Sequence, residues 1–116
     1  MRKGKMCSQA AHASMAWLTR RLNPNCCYHP KASTVQITDV EQDWLDNSFT
    51  KICVAVDSEE ELLAIHEAAL EAGLVSHLVQ DSGRTEFGGV PTYTCLALGP
   101  DLAENIDPIT GNLRLL

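Results

Sequence analysis

Apolar positions recur along the chain first with helical spacing and later with extended spacing. From about Gly4 to Arg21, Met6, Ala10, Ala13 and Trp17 stand three and four residues apart, which predicts a helix with one apolar stripe. Ala and Met favour that conformation, and Arg20-Arg21 place cations at the negative end of its macrodipole. Lys5, Gln9 and His12 follow the same spacing, so one side of the helix carries all three. Residues 22–35 hold two Pro, two Asn and Cys26-Cys27 and read as a loop. Thr38-Asp39-Val40-Glu41 is a capping-box pattern opening a short helix to about Asp46, and Ser58-Glu59-Glu60-Glu61 is a second, opening a helix that Gly73 ends. Between them Lys51–Val56, KICVAV, is predicted as a buried strand. Val75–Gln80 and Tyr93–Leu98 are the next strands. A short helix around Asp101–Asn105, a turn and an apolar tail close the chain.

The order helix, helix, strand, helix, strand, strand, helix predicts an α/β sandwich built on a small sheet. Its first helix has no strand feeding into it, which is odd where strands and helices alternate. With 116 residues, 45% of them apolar and 21% charged, the chain fits a single domain, residues 1–116. No apolar run reaches the roughly 18–20 residues of a membrane span. The opening MRKGKMCSQAAHASMAWL mixes Ser, Gln and His into an Ala-rich run and lacks the apolar core of a signal peptide. A cytoplasmic protein is expected. The five cysteines, odd in number and irregularly spaced, suit a reducing compartment better than a disulfide framework. Cys53 and Cys95 fall inside strand-like runs, where a thiol behaves as a small hydrophobe. Cys26-Cys27, followed by Tyr28-His29, lack the spacing that lets two thiolates face one ion, so no metal site is expected.

Charge changes the picture. The net charge of −6 by itself argues against a nucleic-acid partner. Residues 1–38, however, contain Arg2, Lys3, Lys5, Arg20, Arg21 and Lys31 and no acid, a local +6. Residues 39–116 set fifteen acids against Lys51, Arg84 and Arg114, a local −12. Such asymmetry fits a basic, anion-binding face on an acidic body, and equally a solvated helix face.

Candidate chemistry gathers in HLVQDSGRTEFGGVPTYTCLALGP, residues 77–100. The apolar run stops at Asp81-Ser82-Gly83-Arg84-Thr85, and a Gly-Gly-Val-Pro turn leads into Tyr93–Leu98. An acid, a guanidinium and a hydroxyl within five residues exceed what a turn requires, although Asp before Ser-Gly is good turn chemistry on its own. There is no Gly-x-Ser-x-Gly elbow, so a serine-nucleophile esterase is not expected.

Taken in order, KGKMCSQAAHAS, VAVDSEEELLAIHEAALEAGL, HLVQDSGRTEF, TCLALGP and IDPITGNLRLL resemble the type 2 peptidyl-tRNA hydrolases, a family typical of archaea and eukaryotes. The resemblance covers essentially the whole chain, and K-G-K-x-x-x-Q-x-x-H and D-x-G-R-T are its most specific parts. It implies a three-layer α/β/α sandwich around a small mixed sheet, of four strands in the family and three visible here. Family members carry a further apolar strand before the K-G-K motif, so the chain is expected to be N-terminally truncated relative to them. An exposed sheet edge of that kind makes self-association, a homodimer included, an expectation. The turn TEFGGVPTYT is also one residue longer than usual in the family.

The implied reaction is cofactor-free hydrolysis of the ester joining a peptide to the 3′-ribose of tRNA. Such a reaction needs a held and activated water, a donor for the developing oxyanion and a grip on a polyanion. By resemblance Lys5, Asp81, Thr85 and Thr94 form the catalytic set. Asp81 would orient or activate water, Thr85 and Thr94 would hold that water or the ester carbonyl, and Lys5 would meet a phosphate or the oxyanion. Gln9 and His12 would border the pocket, Arg84 would face phosphate, and Lys3 and Arg20 would join the substrate-binding face. Structural readings stand beside these: Thr94 as a strand former, His12 as a packed histidine, Arg84 as partner to an acid of the last helix. A rival function keeps the fold without the chemistry, as a catalytically impaired member that binds RNA or protein.

Overall fold

A computed structural model describes residues 1–22, 34–83 and 88–116. Helix α1 spans Lys3–Leu22, α2 Asp39–Asp46, α3 Glu59–Glu71 and α4 Ala103–Thr110, with strands β1 (Ser76–Asp81) and β2 (Thr92–Leu98) between α3 and α4. The fold is α/β. No helix among the described residues is long and apolar enough to cross a membrane.

The two strands pair antiparallel, from Ser76 opposite Leu98 to Val79 opposite Cys95. The register then slips, so that Gln80 faces Tyr93 and Asp81 faces Thr92. Thr94 is therefore the extra residue of a β-bulge. Successive side chains of a strand point to opposite faces, and the helices use this alternation. Arg20 and Lys5 of α1 reach His77 and Asp81, whereas His66 of α3 reaches Ser76 from its Nδ1 at 2.7 Å. Ala13, Ala16 and Trp17 of α1, Leu62 and Ala69 of α3, and Leu74 form the buried apolar core. Gly73, at a φ of 78° that suits glycine, ends α3 and turns Leu74 back so that its N–H bonds Ala69 O at 2.9 Å.

Helix α2 begins as its capping box predicts. Glu41 N donates to Thr38 Oγ1 at 3.2 Å, and Thr38 N donates to Glu41 Oε1 at 2.8 Å. The same carboxylate, only 2% exposed as a residue, also receives Arg21 Nη1 and Nη2, each at 2.7 Å. Bidentate guanidinium–carboxylate pairs are among the strongest polar contacts. This one fastens α2 to the end of α1, beside an edge-to-face Trp17–Trp44 contact with centroids 6.0 Å apart. The second capping box forms only half: Glu61 N donates to Ser58 Oγ at 3.1 Å, while the Glu61 carboxylate takes the N–H of Asp57.

The sheet differs from the expectation. Lys51–Val56 is not a buried sheet strand, and the described sheet has two strands, purely antiparallel, in place of three in a mixed arrangement. The segment runs beside the C-terminal tail through a single bridge, Val54 to Leu115, flanked by Ala55 N to Arg114 O and Leu116 N to Cys53 O. Its apolar composition reports extended backbone but not a pairing partner, which depends on distant residues. Ile52 is 72% exposed and Cys53 faces out, so that thiol is not a buried hydrophobe. The last helix runs on through Pro108 to Thr110, beyond the predicted end at Asn105, and Gly111 N closes it on Asp107 O.

Candidate active site

Lys5 and Gln9 stand one turn apart on α1, so their side chains leave the same face. That face lies against the end of β1. Lys5 Nζ donates to Asp81 Oδ1 at 2.7 Å, and Gln9 Nε2 lies 3.5 Å from the same oxygen. The other oxygen, Oδ2, accepts the backbone N–H of Gly83 at 2.8 Å. Both sides of the ion pair are largely shielded, with Lys5 and Asp81 side chains 14% and 11% exposed. Lys5 first, then the Gly83 N–H, hold the Asp81 carboxyl below the usual carboxylate range, and His12 adds to this from a distance. Asp81 is therefore ionised at neutral pH.

Thr94 completes the cluster from β2. Its hydroxyl donates to Gln9 Oε1 at 2.5 Å, and the next residue, Cys95, donates from Sγ to Gln9 O at 3.3 Å. Adjacent strand residues ordinarily face opposite ways. The bulge at Thr94 brings both toward α1, a re-aiming that bulges commonly perform. Burial pushes the Cys95 thiol up, which keeps it a protonated donor.

The turn after β1 is held by Gly83. Its φ of 82° lies in the left-handed region, and an added Cβ would stand 2.0 Å from Val90 O. Its own carbonyl accepts Gly89 N at 2.9 Å, tying the two ends of the connection together.

Of the residues expected at the site, Lys5, Gln9, Asp81 and Thr94 are brought into one hydrogen-bonded set. His12 is exposed on α1, within electrostatic reach of Asp81, and Lys3 is exposed at the start of the same helix. Arg20 reaches past the helix end: its Nη2 donates to Leu78 O at 2.7 Å and its Nη1 meets His77 Nδ1 at 3.1 Å. Arg84 and Thr85 lie outside the described residues, as do Cys26 and Cys27. Among the described residues no group of three or more His, Cys, Asp and Glu is placed to hold a metal ion. Sequence reasoning missed Gly83 and Cys95. The Asp-x-Gly spacing signalled the first, because Asp side chains bond backbone two residues on; nothing local signalled the second.

Chemically, the set offers an ionised carboxylate, an ammonium beside it and a hydroxyl fixed by an amide. The sequence profile of the family described as Peptidyl-tRNA hydrolase PTH2 matches residues 1–116. A peptidyl-tRNA hydrolase of Methanothermobacter thermautotrophicus is 39% identical over 116 residues, 100% of this chain and 89% of its own length. Those of Nanoarchaeum equitans and Thermoplasma acidophilum are 37% and 36% identical, over 97% and 100% of this chain and 87% and 88% of their own lengths. The chain belongs to the peptidyl-tRNA hydrolase PTH2 family.

Proposed function

We propose that the chain hydrolyses the ester between a peptide and the 3′ end of tRNA, with Asp81 at the reacting centre. The observation that supports this reading is the meeting of two motifs 76 residues apart: Lys5 and Gln9 of the first bond the carboxylate of the second. Asp81 orients a water against the ester carbonyl carbon. As the water oxygen bonds to that carbon, its proton passes to the carboxylate. The carbonyl oxygen gains negative charge and draws the Lys5 ammonium, in the manner of an oxyanion donor. Asp81 loses part of its stabilising partner at that moment and so becomes a better base. The bond from carbon to the ribose oxygen then breaks, that oxygen takes the proton, and free tRNA and a peptide carboxylic acid leave.

Thr85 joins the water-holding groups in this reading. Lys3, Arg20 and Arg84 bind tRNA phosphates, and His12 borders the pocket. The domain, residues 1–116, works in the cytoplasm on peptidyl-tRNA. Its finer architecture is a three-layer sandwich with α1 and α3 as outer layers, an arrangement supported by their use of opposite faces of β1.

The test is hydrolysis of an N-acetylaminoacyl-tRNA in water enriched in heavy oxygen. Release of the blocked amino acid well above the buffer rate, with the label in its carboxylate, is expected. Release at the buffer rate, or label on the ribose hydroxyl, would sink the reading.

A further inference from the structure

Gln9 is 4% exposed, and its amide stands between Asp81 and Thr94. A primary amide has an acceptor oxygen on one side and a donor nitrogen on the other. Asp81, ionised and bonded to Lys5 and Gly83, can only accept. It therefore selects the nitrogen of Gln9, because the flipped amide would set its oxygen against the carboxylate. The amide oxygen is then turned to Thr94, 2.5 Å away. Two oxygens at that distance share a hydrogen, and Thr94 alone has one to give. The Thr94 hydrogen is thus committed to Gln9, and only the lone pairs of its oxygen remain for other partners. Cys95 holds the backbone of Gln9 from the adjacent position, so neighbouring residues of β2 grip both the side chain and the main chain of the same residue.

We infer that Gln9 is a positioning residue that turns Thr94 into an acceptor, so that Thr94 and Asp81 grip the two hydrogens of the attacking water. A water held by both hydrogens presents its lone pair to the ester carbon. Thr94 is then excluded as an oxyanion donor, and that task falls to Lys5. The inference rests on the hydrolytic reading above, and the two fail differently.

Three variants test it with single-turnover and steady-state hydrolysis of an N-acetylaminoacyl-tRNA. Gln9→Met and Thr94→Val should each lower kcat by about 10²-fold with little change in KM, the loss typical of a misplaced reacting group. The double variant should fall close to Thr94→Val alone, because Gln9 acts through Thr94. Losses that multiply in the double variant would overturn the inference.

Gln9→Glu gives an independent answer should Gln9→Met fail to fold. A neutral carboxylic acid reproduces the donor and acceptor of the amide, whereas its anion cannot donate to Asp81. The like charge of Asp81 raises the pKa of the new acid. Gln9→Glu should therefore keep activity at acid pH and lose it as pH rises, with KM nearly constant. A pH profile of the wild-type shape would overturn the inference. Asp81→Asn separates the two levels. Full activity in that variant overturns the hydrolytic reading and this inference together. An inactive Asp81→Asn with multiplying Gln9 and Thr94 effects overturns this inference alone.

Discussion

Gly83→Ala is the substitution in which backbone geometry and chemistry are most tightly joined. At a φ of 82° an alanine incurs the left-handed penalty, roughly 1–2 kcal/mol for a residue with a Cβ. The new Cβ would also meet three backbone atoms of Val90, at 2.0, 2.6 and 2.7 Å. No rotamer relieves a clash with main chain. The turn must open by about 1 Å, and a shift of that size at a reacting group is worth about 10²-fold in rate. The Gly83 N–H would withdraw from Asp81 Oδ2, and the carboxylate would lose one of the two donors that hold it below its usual range. Gly89→Ala is a matched control, since its φ is 83° but nothing lies within 4 Å of its Cβ position. The conformational penalty alone corresponds to about 4–8 °C in Tm for a domain of this size. Both variants should lose that much, while Gly83→Ala should melt lower still and lose about 10²-fold in kcat that Gly89→Ala retains. Thermal melts and single-turnover hydrolysis decide it. If the two variants melt and turn over alike, the close approach of Gly83 to Val90 does not position Asp81.

Three further outcomes follow from other parts of the fold. Glu41→Ala strips Arg21 of its partner, and because the Arg21 side chain keeps 30% exposure the loss in urea unfolding should sit at the low end for broken buried pairs, about 3 kcal/mol; a loss under about 1 kcal/mol, the range of surface pairs, would mean the pair is incidental. Stability should fall as the solution is acidified. Burial, with Arg20 second, pushes His77 below the usual imidazole range, and its bond to Arg21 holds Glu41 low. Both contributions are present above the unfolded pKa values, about 6.5 and 4.3, and are lost as pH falls toward the folded ones. Urea midpoints that stay flat from about pH 7.5 to about pH 4 would refute this. Lys3→Ala should weaken tRNA binding and flatten its salt dependence, by about 0.9 in the log–log slope for each phosphate the protein ceases to neutralise; an unchanged slope would remove Lys3 from the tRNA-binding face.

Local features were legible in the sequence and long-range pairings were not. The α1 helix and the Thr38–Glu41 box depend on residues three or four apart and formed where the pattern put them, although the face that α1 buries holds Gln9 and Ala16 beside Ala13 and Trp17, while Met6 and Ala10 of the expected stripe are only half-buried. Glu41 also shows the limit, since nothing in its spacing says that the cap residue is buried under Arg21, 20 positions away. Lys51–Val56 departs from its expected place in the sheet because an apolar run specifies extended backbone without naming its neighbour. At the site, the family resemblance grouped Lys5, Asp81, Thr85 and Thr94, with Gln9 and His12 at the border of the pocket; the fold brings Lys5, Gln9, Asp81 and Thr94 together and leaves His12 exposed, while Thr85 lies outside the described residues. The bulge that lets Thr94 and Cys95 face the same helix has no local signature, because it is a mismatch in length between two paired strands.

The central claim is that the carboxylate of Asp81, held by Lys5 and Gly83, handles the attacking water. Single-turnover hydrolysis of an N-acetylaminoacyl-tRNA by Asp81→Asn tests it most directly, because the amide preserves the shape of the turn but cannot take a proton. The account predicts a loss of about 10²-fold or more in the chemical step, with tRNA binding retained and a circular-dichroism spectrum like that of the wild type. Cleavage by a folded Asp81→Asn variant at close to the wild-type rate would contradict it.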